Sequence, residues 1–109
     1  MVPMRRGYAG SDGASIADDS GSCDNANHSK SAEEASIDVA AVIKYIKGLS
    51  YANSNKILLV GVSTGGLTAL ATASLNVDGV QGAINFAGGR GGKNAKNISG
   101  FACNEPNLI

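Results

Sequence analysis

The sequence lacks both an excess of charge and any long apolar run. Nine basic residues balance nine acidic ones, so the formal net charge is zero, and nothing indicates a nucleic acid or an anionic membrane surface. No apolar stretch approaches the ~20 residues of a membrane helix, and the start MVPMRR lacks the apolar segment of a signal peptide. We therefore predict no nucleic-acid or membrane partner, and the localisation stays open.

Histidine and cysteine are also scarce. His28 is the only histidine, and Cys23 and Cys103 are the only cysteines. Zinc sites usually need several such ligands at short spacings, so we predict no metal site and no cofactor. The cysteines form a disulfide in an exported protein or remain thiols in the cytosol. Their spacing does not decide between these states.

The segment from Lys56 to Ser74 combines an apolar run with a sharp turn. The run KILLV is followed by GVSTGG and then by LTALATAS, which predicts a buried strand, a turn and a helix. Gly61, Ser63 and Gly65 match G-x-S-x-G, the nucleophile elbow, in which a serine occupies a strained strand-to-helix turn. The uncharged, branched residues of the run are typical of a parallel strand that is covered on both faces.

Ser63 is the candidate nucleophile, and an ordinary strand-to-helix turn is the alternative. We expect the N–H of Thr64 to donate to the oxyanion. Glycine is expected at Gly61 and Gly65 because the strand and the helix approach too closely there for side chains. A serine also needs a neighbouring base. His28 precedes Ser63, whereas elbow hydrolases have the order serine, acid, histidine, so we interpret His28 as a solvated loop residue rather than the base.

An amphipathic helix is predicted before the elbow. Ser31 and Glu34 match a capping box at its start, and Lys44, Lys47 and Gly48 indicate its end. Apolar residues at spacings of three and four predict one buried stripe. The stripe consists of Val39, Val42, Ile43, Ile46 and Leu49.

The elbow helix is predicted over about residues 66–75, and a second buried strand over Val80–Ala87. Because a helical crossover between two buried strands makes them parallel, the fold class is α/β, with parallel strands and flanking helices. The start MVPMRRGYAGSDGAS predicts the tail of a strand that runs into a loop. Within it, Arg5 and Arg6 either bind a substrate carboxylate or pair with Asp12 or with the acidic residues of the loop over residues 16–31.

Two polar or glycine-rich segments leave alternatives open. Residues 16–31 lack any periodicity, which indicates a solvated connection or an active-site rim. The segment GGRGGKNAKN invites a phosphate-loop reading, but Ala87 and Asn94 stand where G-x-x-x-x-G-K-[ST] needs glycine and a hydroxyl residue. We interpret it as a loop beside the active-site edge.

Three segments, MVPMRRGYAGSDG, ILLVGVSTGG and INFAGGRGG, together resemble the central part of α/β-hydrolases of the dienelactone-hydrolase-like group, which includes secreted bacterial members. The resemblance implies a serine hydrolase, such as a carboxylesterase, that transfers acyl groups of a small-molecule substrate through Ser63. It also allows a secreted or periplasmic parent protein. Dienelactone hydrolase itself has a cysteine at the elbow, so Ser63 favours ester, thioester or peptide-like substrates.

In that group the acid and the histidine of the triad follow later strands and would lie beyond Ile109, and the second oxyanion donor would precede Met1. We therefore expect residues 1–109 to be a single partial domain, a fragment with little or no esterase activity alone. A neighbouring strand would also be missing, so we expect open apolar strand edges to favour self-association. The alternative is a non-catalytic fragment or interaction module that keeps the centre of the fold.

If the protein is exported, we predict that Cys23 and Cys103 form a disulfide that joins two loops at one edge of the sheet. A thiol titration of exported material under denaturing, non-reducing conditions should then detect no free thiol. Two free thiols would contradict the disulfide.

Overall fold

A computed structural model describes residues 1–14 and 28–89 of the chain. Its elements are, in chain order, α1 (His28–Lys47), β1 (Ile57–Val62), α2 (Thr64–Ser74) and β2 (Val80–Phe86). The two strands pair in parallel, with Val60 opposite Ile84. The predicted α/β class and its element order are therefore confirmed. Cys23, Cys103 and the glycine-rich segment beyond residue 89 lie outside the described residues, as does most of the polar segment before α1.

α2 is the central element of the described structure. It packs against α1 on one side and against both strands on the other, whereas α1 contacts neither strand. The residues of α2 that are fully buried are small or branched. They are Gly66, Leu67, Thr68, Ala69 and Thr72. The helix begins at Thr64, before the predicted start near residue 66, because it leaves the elbow without any connecting residue.

α1 begins at His28, so the predicted capping box at Ser31 is wrong. Ser31 lies inside the helix and is only 3% exposed, and its first turn contains no acidic residue. Together with Ala32 and Ala35, Ser31 belongs to a face of small, buried side chains on a helix that packs on α2. The helix ends as predicted at Lys47, and Gly48 donates its N–H to the carbonyl of Tyr45 at 3.1 Å.

The predicted apolar stripe of α1 is buried only in part. Ile43 is fully buried, but Val39, Val42 and Ile46 are half-buried. A cavity of about 360 Å³ separates these side chains from the residues of β1. The stripe is less buried than predicted because α1 rests on α2 and leaves this gap beside the strand.

The sheet is covered on one face by the described elements, which corrects the expectation that β1 is buried on both. Leu58, Val60 and Val62 are 58–67% exposed, while the residues that alternate with them are half-buried. α2 packs on the half-buried side of the strand. Neither described helix combines the length and the apolar character that crossing a membrane would require.

Residues 1–5 have no regular secondary structure and residues 6–10 form turns, so the predicted strand tail is absent from the described residues. Arg6 anchors them to α1: its Nε lies 3.0 Å and 3.1 Å from the carboxylate oxygens of Asp38, and its Nη2 donates to the carbonyl of Glu34 at 3.2 Å. Arg6 therefore pairs with Asp38, because α1 lies beside the turn. Arg5 stacks over the ring of Tyr8, with 4.8 Å from its guanidinium carbon to the ring centre.

We predict that Asp38→Asn lowers the free energy of unfolding by about 1 kcal/mol, since it removes a part-buried, charge-assisted pair with Arg6. The matched control is Asp78→Asn. Asp78 pairs with Lys47 at 3.1 Å but is 95% exposed, so its loss should have no measurable effect. Urea denaturation followed by circular dichroism measures both, and equal destabilisation by the two changes would contradict the prediction.

Candidate active site

Ser63 lies between β1 and α2 in a conformation that non-glycine residues rarely adopt. Its φ is 53° and its ψ is −124°, a left-handed backbone that costs of order 1–3 kcal/mol and persists only where the surroundings enforce it. Two hydrogen bonds do so. The N–H of Ser63 donates to the carbonyl of Phe86 at 2.8 Å, and its carbonyl accepts from the N–H of Leu67 at 3.1 Å.

The side chain of Ser63 is exposed and does not cap the helix that follows it. Serine at this position usually accepts a hydrogen bond from the first turn of its helix, but Ser63 makes no such bond. The N–H of Thr64 likewise donates to no backbone carbonyl within residues 1–14 and 28–89, as is usual for the first residue of a helix. Within the described residues, the hydroxyl of Ser63 and the N–H of Thr64 therefore make no hydrogen bond, and the two groups are on adjacent residues.

The elbow depends on a close approach of two backbones at Gly61. A Cβ on Gly61 would collide with the carbonyl of Gly65 and would lie 2.6 Å from the nitrogen of Gly66. The predicted steric need for glycine is therefore met at Gly61. It is not met at Gly65, where an added Cβ would have no neighbour within 4 Å. The second crowded position is Gly66, where a Cβ would lie 2.9 Å from Cγ of Asn85.

Buried hydroxyl groups within α2 are satisfied by the helix itself. Thr68 donates to the carbonyl of Thr64 at 2.9 Å, and Thr72 donates to the carbonyl of Thr68 at 2.8 Å. Such bonds to the preceding turn remove the cost of burying a polar group. The helix can therefore present small side chains to α1 and to the sheet at the same time, which keeps its first turn close to the strands.

His28 is the first residue of α1 and is exposed. The adjacent Ser29 lines a cavity with Leu67, Leu70 and Ser74 of α2. These residues lie roughly 6–16 Å along the helix axis from Ser63, at 1.5 Å per residue. Neither His28 nor Ser63 lines this cavity. The expectation that His28 is a loop residue is corrected, since it begins the helix.

Asn85 is a site residue that the sequence analysis did not single out. It lies in β2 opposite Gly61, and its side chain contacts Gly66 at the start of α2. Its amide also binds Gly88 and Gly89, just beyond the strand. The only signal for it in the sequence is one amide side chain within the apolar run INFA, directly before two glycines.

The family model described as the dienelactone hydrolase family matches residues 6–104, a range that contains α1, the elbow and both strands. No curated protein and no solved structure gives a significant match to the chain.

We predict opposite effects of adding one methyl group at two adjacent glycines. Gly66→Ala should lower the free energy of unfolding by about 1–3 kcal/mol, because the new Cβ overlaps the side chain of Asn85. Gly65→Ala should keep or slightly raise it, since its Cβ meets no atom and alanine favours a helix over glycine. Urea unfolding curves of the two variants measure the difference, and greater loss at Gly65 would contradict this account of the elbow.

Proposed function

The chain belongs to the dienelactone hydrolase family, whose model matches most of its length, and on this premise we propose that it is a serine hydrolase. Its nucleophile is Ser63, and its reaction is acyl transfer. The observation that carries the proposal is the left-handed backbone of Ser63 together with a hydroxyl that does not cap α2. A serine that served only to start the helix would use that hydroxyl as a cap.

In the proposed reaction, the hydroxyl oxygen of Ser63 attacks the carbonyl carbon of the substrate while a base takes its proton. The carbonyl oxygen becomes an oxyanion, which accepts a hydrogen bond from the N–H of Thr64. The positive end of the α2 dipole lies at the same place and favours the same negative charge. Collapse of the intermediate expels the alcohol, which takes the proton from the base. The base then deprotonates a water molecule that attacks the acyl carbon, and the carboxylic acid leaves as Ser63 regains its proton.

The proposed substrates are small esters or related acyl compounds. Ser63, Thr64 and Gly65 are all exposed, so a carbonyl group can reach the elbow from solvent. An activated serine oxygen attacks the carbonyl carbon of esters and thioesters, so a serine at the elbow favours these substrates. The cavity of about 360 Å³ beside β1 is lined by Gly61 and Gly65 of the elbow but not by Ser63 itself.

The base that activates Ser63 is not assigned. His28 is the only histidine in the sequence, and it precedes Ser63, whereas elbow hydrolases have the order serine, acid, histidine. Attack by Ser63 and deacylation both need a base, but a fluorophosphonate is a much stronger electrophile than an ester and has to react only once. We therefore expect the 109-residue chain to react once at Ser63 and to turn over esters slowly.

We predict that a fluorophosphonate probe modifies the folded chain at one site, Ser63. Intact-protein and peptide mass spectrometry should find one adduct on the wild type and none on Ser63→Ala. Ser50→Ala is the matched control, since Ser50 is an exposed serine in the turn that follows α1, and this variant should be labelled as fast as the wild type.

A folded sample that gives no adduct would contradict the proposal and favour a non-catalytic module. Modification of Ser63→Ala at the wild-type rate would show that another residue reacts. Hydrolysis of a chromogenic acetate ester supplies a separate readout. Fast turnover that Ser63→Ala abolishes would confirm the nucleophile but contradict the expectation of slow deacylation.

A further inference from the structure

Asn85 brings a half-buried amide group to the side of the elbow. It faces Gly61 across the sheet, and it lies so close to Gly66 that an added Cβ there would be 2.9 Å from its Cγ. An amide side chain in such a place needs both an acceptor for its N–H groups and a donor for its oxygen.

Both partners come from the segment that leaves β2. The Oδ1 of Asn85 accepts the N–H of Gly88 at 2.9 Å, and its Nδ2 donates to the carbonyl of Gly89 at 2.9 Å. The side chain of Asn85 thus makes hydrogen bonds to two consecutive residues and so sets the direction of the chain after β2.

The fastened segment lies against the backbone of the candidate nucleophile. A Cβ on Gly88 would be 2.5 Å from the carbonyl oxygen of Ser63 and 2.7 Å from the nitrogen of Leu67. These two atoms form the first hydrogen bond of α2, at 3.1 Å. On the other side of Ser63, its N–H donates to Phe86 at 2.8 Å. The end of β2 therefore contacts the backbone of Ser63 through both residues that flank Ala87.

We propose that Asn85 is a positioning residue for Ser63. By fastening Gly88 and Gly89, it keeps the end of β2 against the first turn of α2 and so maintains the left-handed backbone that leaves the Ser63 hydroxyl uncommitted. It does not touch the substrate. The inference rests on the proposed role of Ser63 as the nucleophile, and it names the side chain that holds that nucleophile in place.

The first test replaces the amide by a group whose hydrogen-bonding capacity depends on pH. In Asn85→Asp, the protonated carboxyl offers one donor and one acceptor, as the amide does. The ionised carboxylate has no donor and faces the carbonyl of Gly89. The backbone amide resonances of Ser63 and Gly88 in ¹⁵N NMR spectra should therefore stay near their wild-type positions at low pH. They should move away as the carboxyl ionises, with a midpoint above the ordinary aspartate pKa of about 3.9.

Asn55→Asp is the matched control because it introduces the same charge at an exposed residue of the turn before β1. Its ionisation should leave the Ser63 and Gly88 resonances in place. Titration of the carboxyl in Asn85→Asp without movement of either resonance would overturn the inference. Circular dichroism at each pH confirms the fold.

Gly88→Ala is a second variant, which keeps Asn85 but displaces the segment after β2. This change should move the Ser63 resonance at all pH values.

The second test measures the reactivity of Ser63. Asn85→Ala should slow its fluorophosphonate labelling at least about tenfold, since small displacements of a reacting group cost one to two orders of magnitude, whereas Asn55→Ala should not slow it. Labelling of Asn85→Ala at the wild-type rate would overturn the inference and leave the proposed function intact. Absence of labelling in the wild type would overturn the proposed function, and the NMR titration would still decide whether Asn85 fixes the backbone of Ser63.

Discussion

The contact between the backbone of β1 at Gly61 and the backbone of α2 at Gly65 and Gly66 is the constraint on which the candidate site depends. With no side chain between them, strand and helix are joined by a single residue, Ser63. One residue can reverse the chain so sharply only in an unusual backbone conformation, which explains its positive φ. The strain at Ser63 is therefore a consequence of how closely the two elements pack.

That close packing is possible because α2 starts with Thr64, Gly65 and Gly66, so no large side chain stands between its first turn and β1. It lies between α1 and the sheet, and its buried threonine hydroxyls donate to carbonyls of the preceding turn instead of requiring partners elsewhere. α1 packs on this helix and buries Ser31, Ala32 and Ala35, so small side chains are buried on both helices. The same arrangement leaves the larger apolar residues of α1 beside a cavity instead of against β1.

The sequence was sufficient to predict the helices and strands, but it did not predict which residues of other elements they contact. The apolar run before Gly61 and the periodicity of α1 are local signals, and they predicted the order and the parallel pairing. The start of α1 was misjudged because Ser31 has the chemistry of a cap, and only packing on α2 shows that it is buried inside the helix. Asp38 was not foreseen as a partner of Arg6, since it is 32 residues away along the chain and nothing local indicates that α1 lies beside the first turn.

The elbow motif itself illustrates the same limit. G-x-S-x-G gives equal weight to its two outer glycines, yet the crowded positions are Gly61 and Gly66. The neighbour that crowds Gly66 is Asn85, from the next strand. A five-residue pattern cannot contain that neighbour, because β2 reaches the elbow only through the parallel pairing of the strands. Phe86 accepts the hydrogen bond of Ser63, and Gly88 packs on its carbonyl. The backbone of Ser63 is thus held as much by the end of β2 as by the strand and helix that it joins.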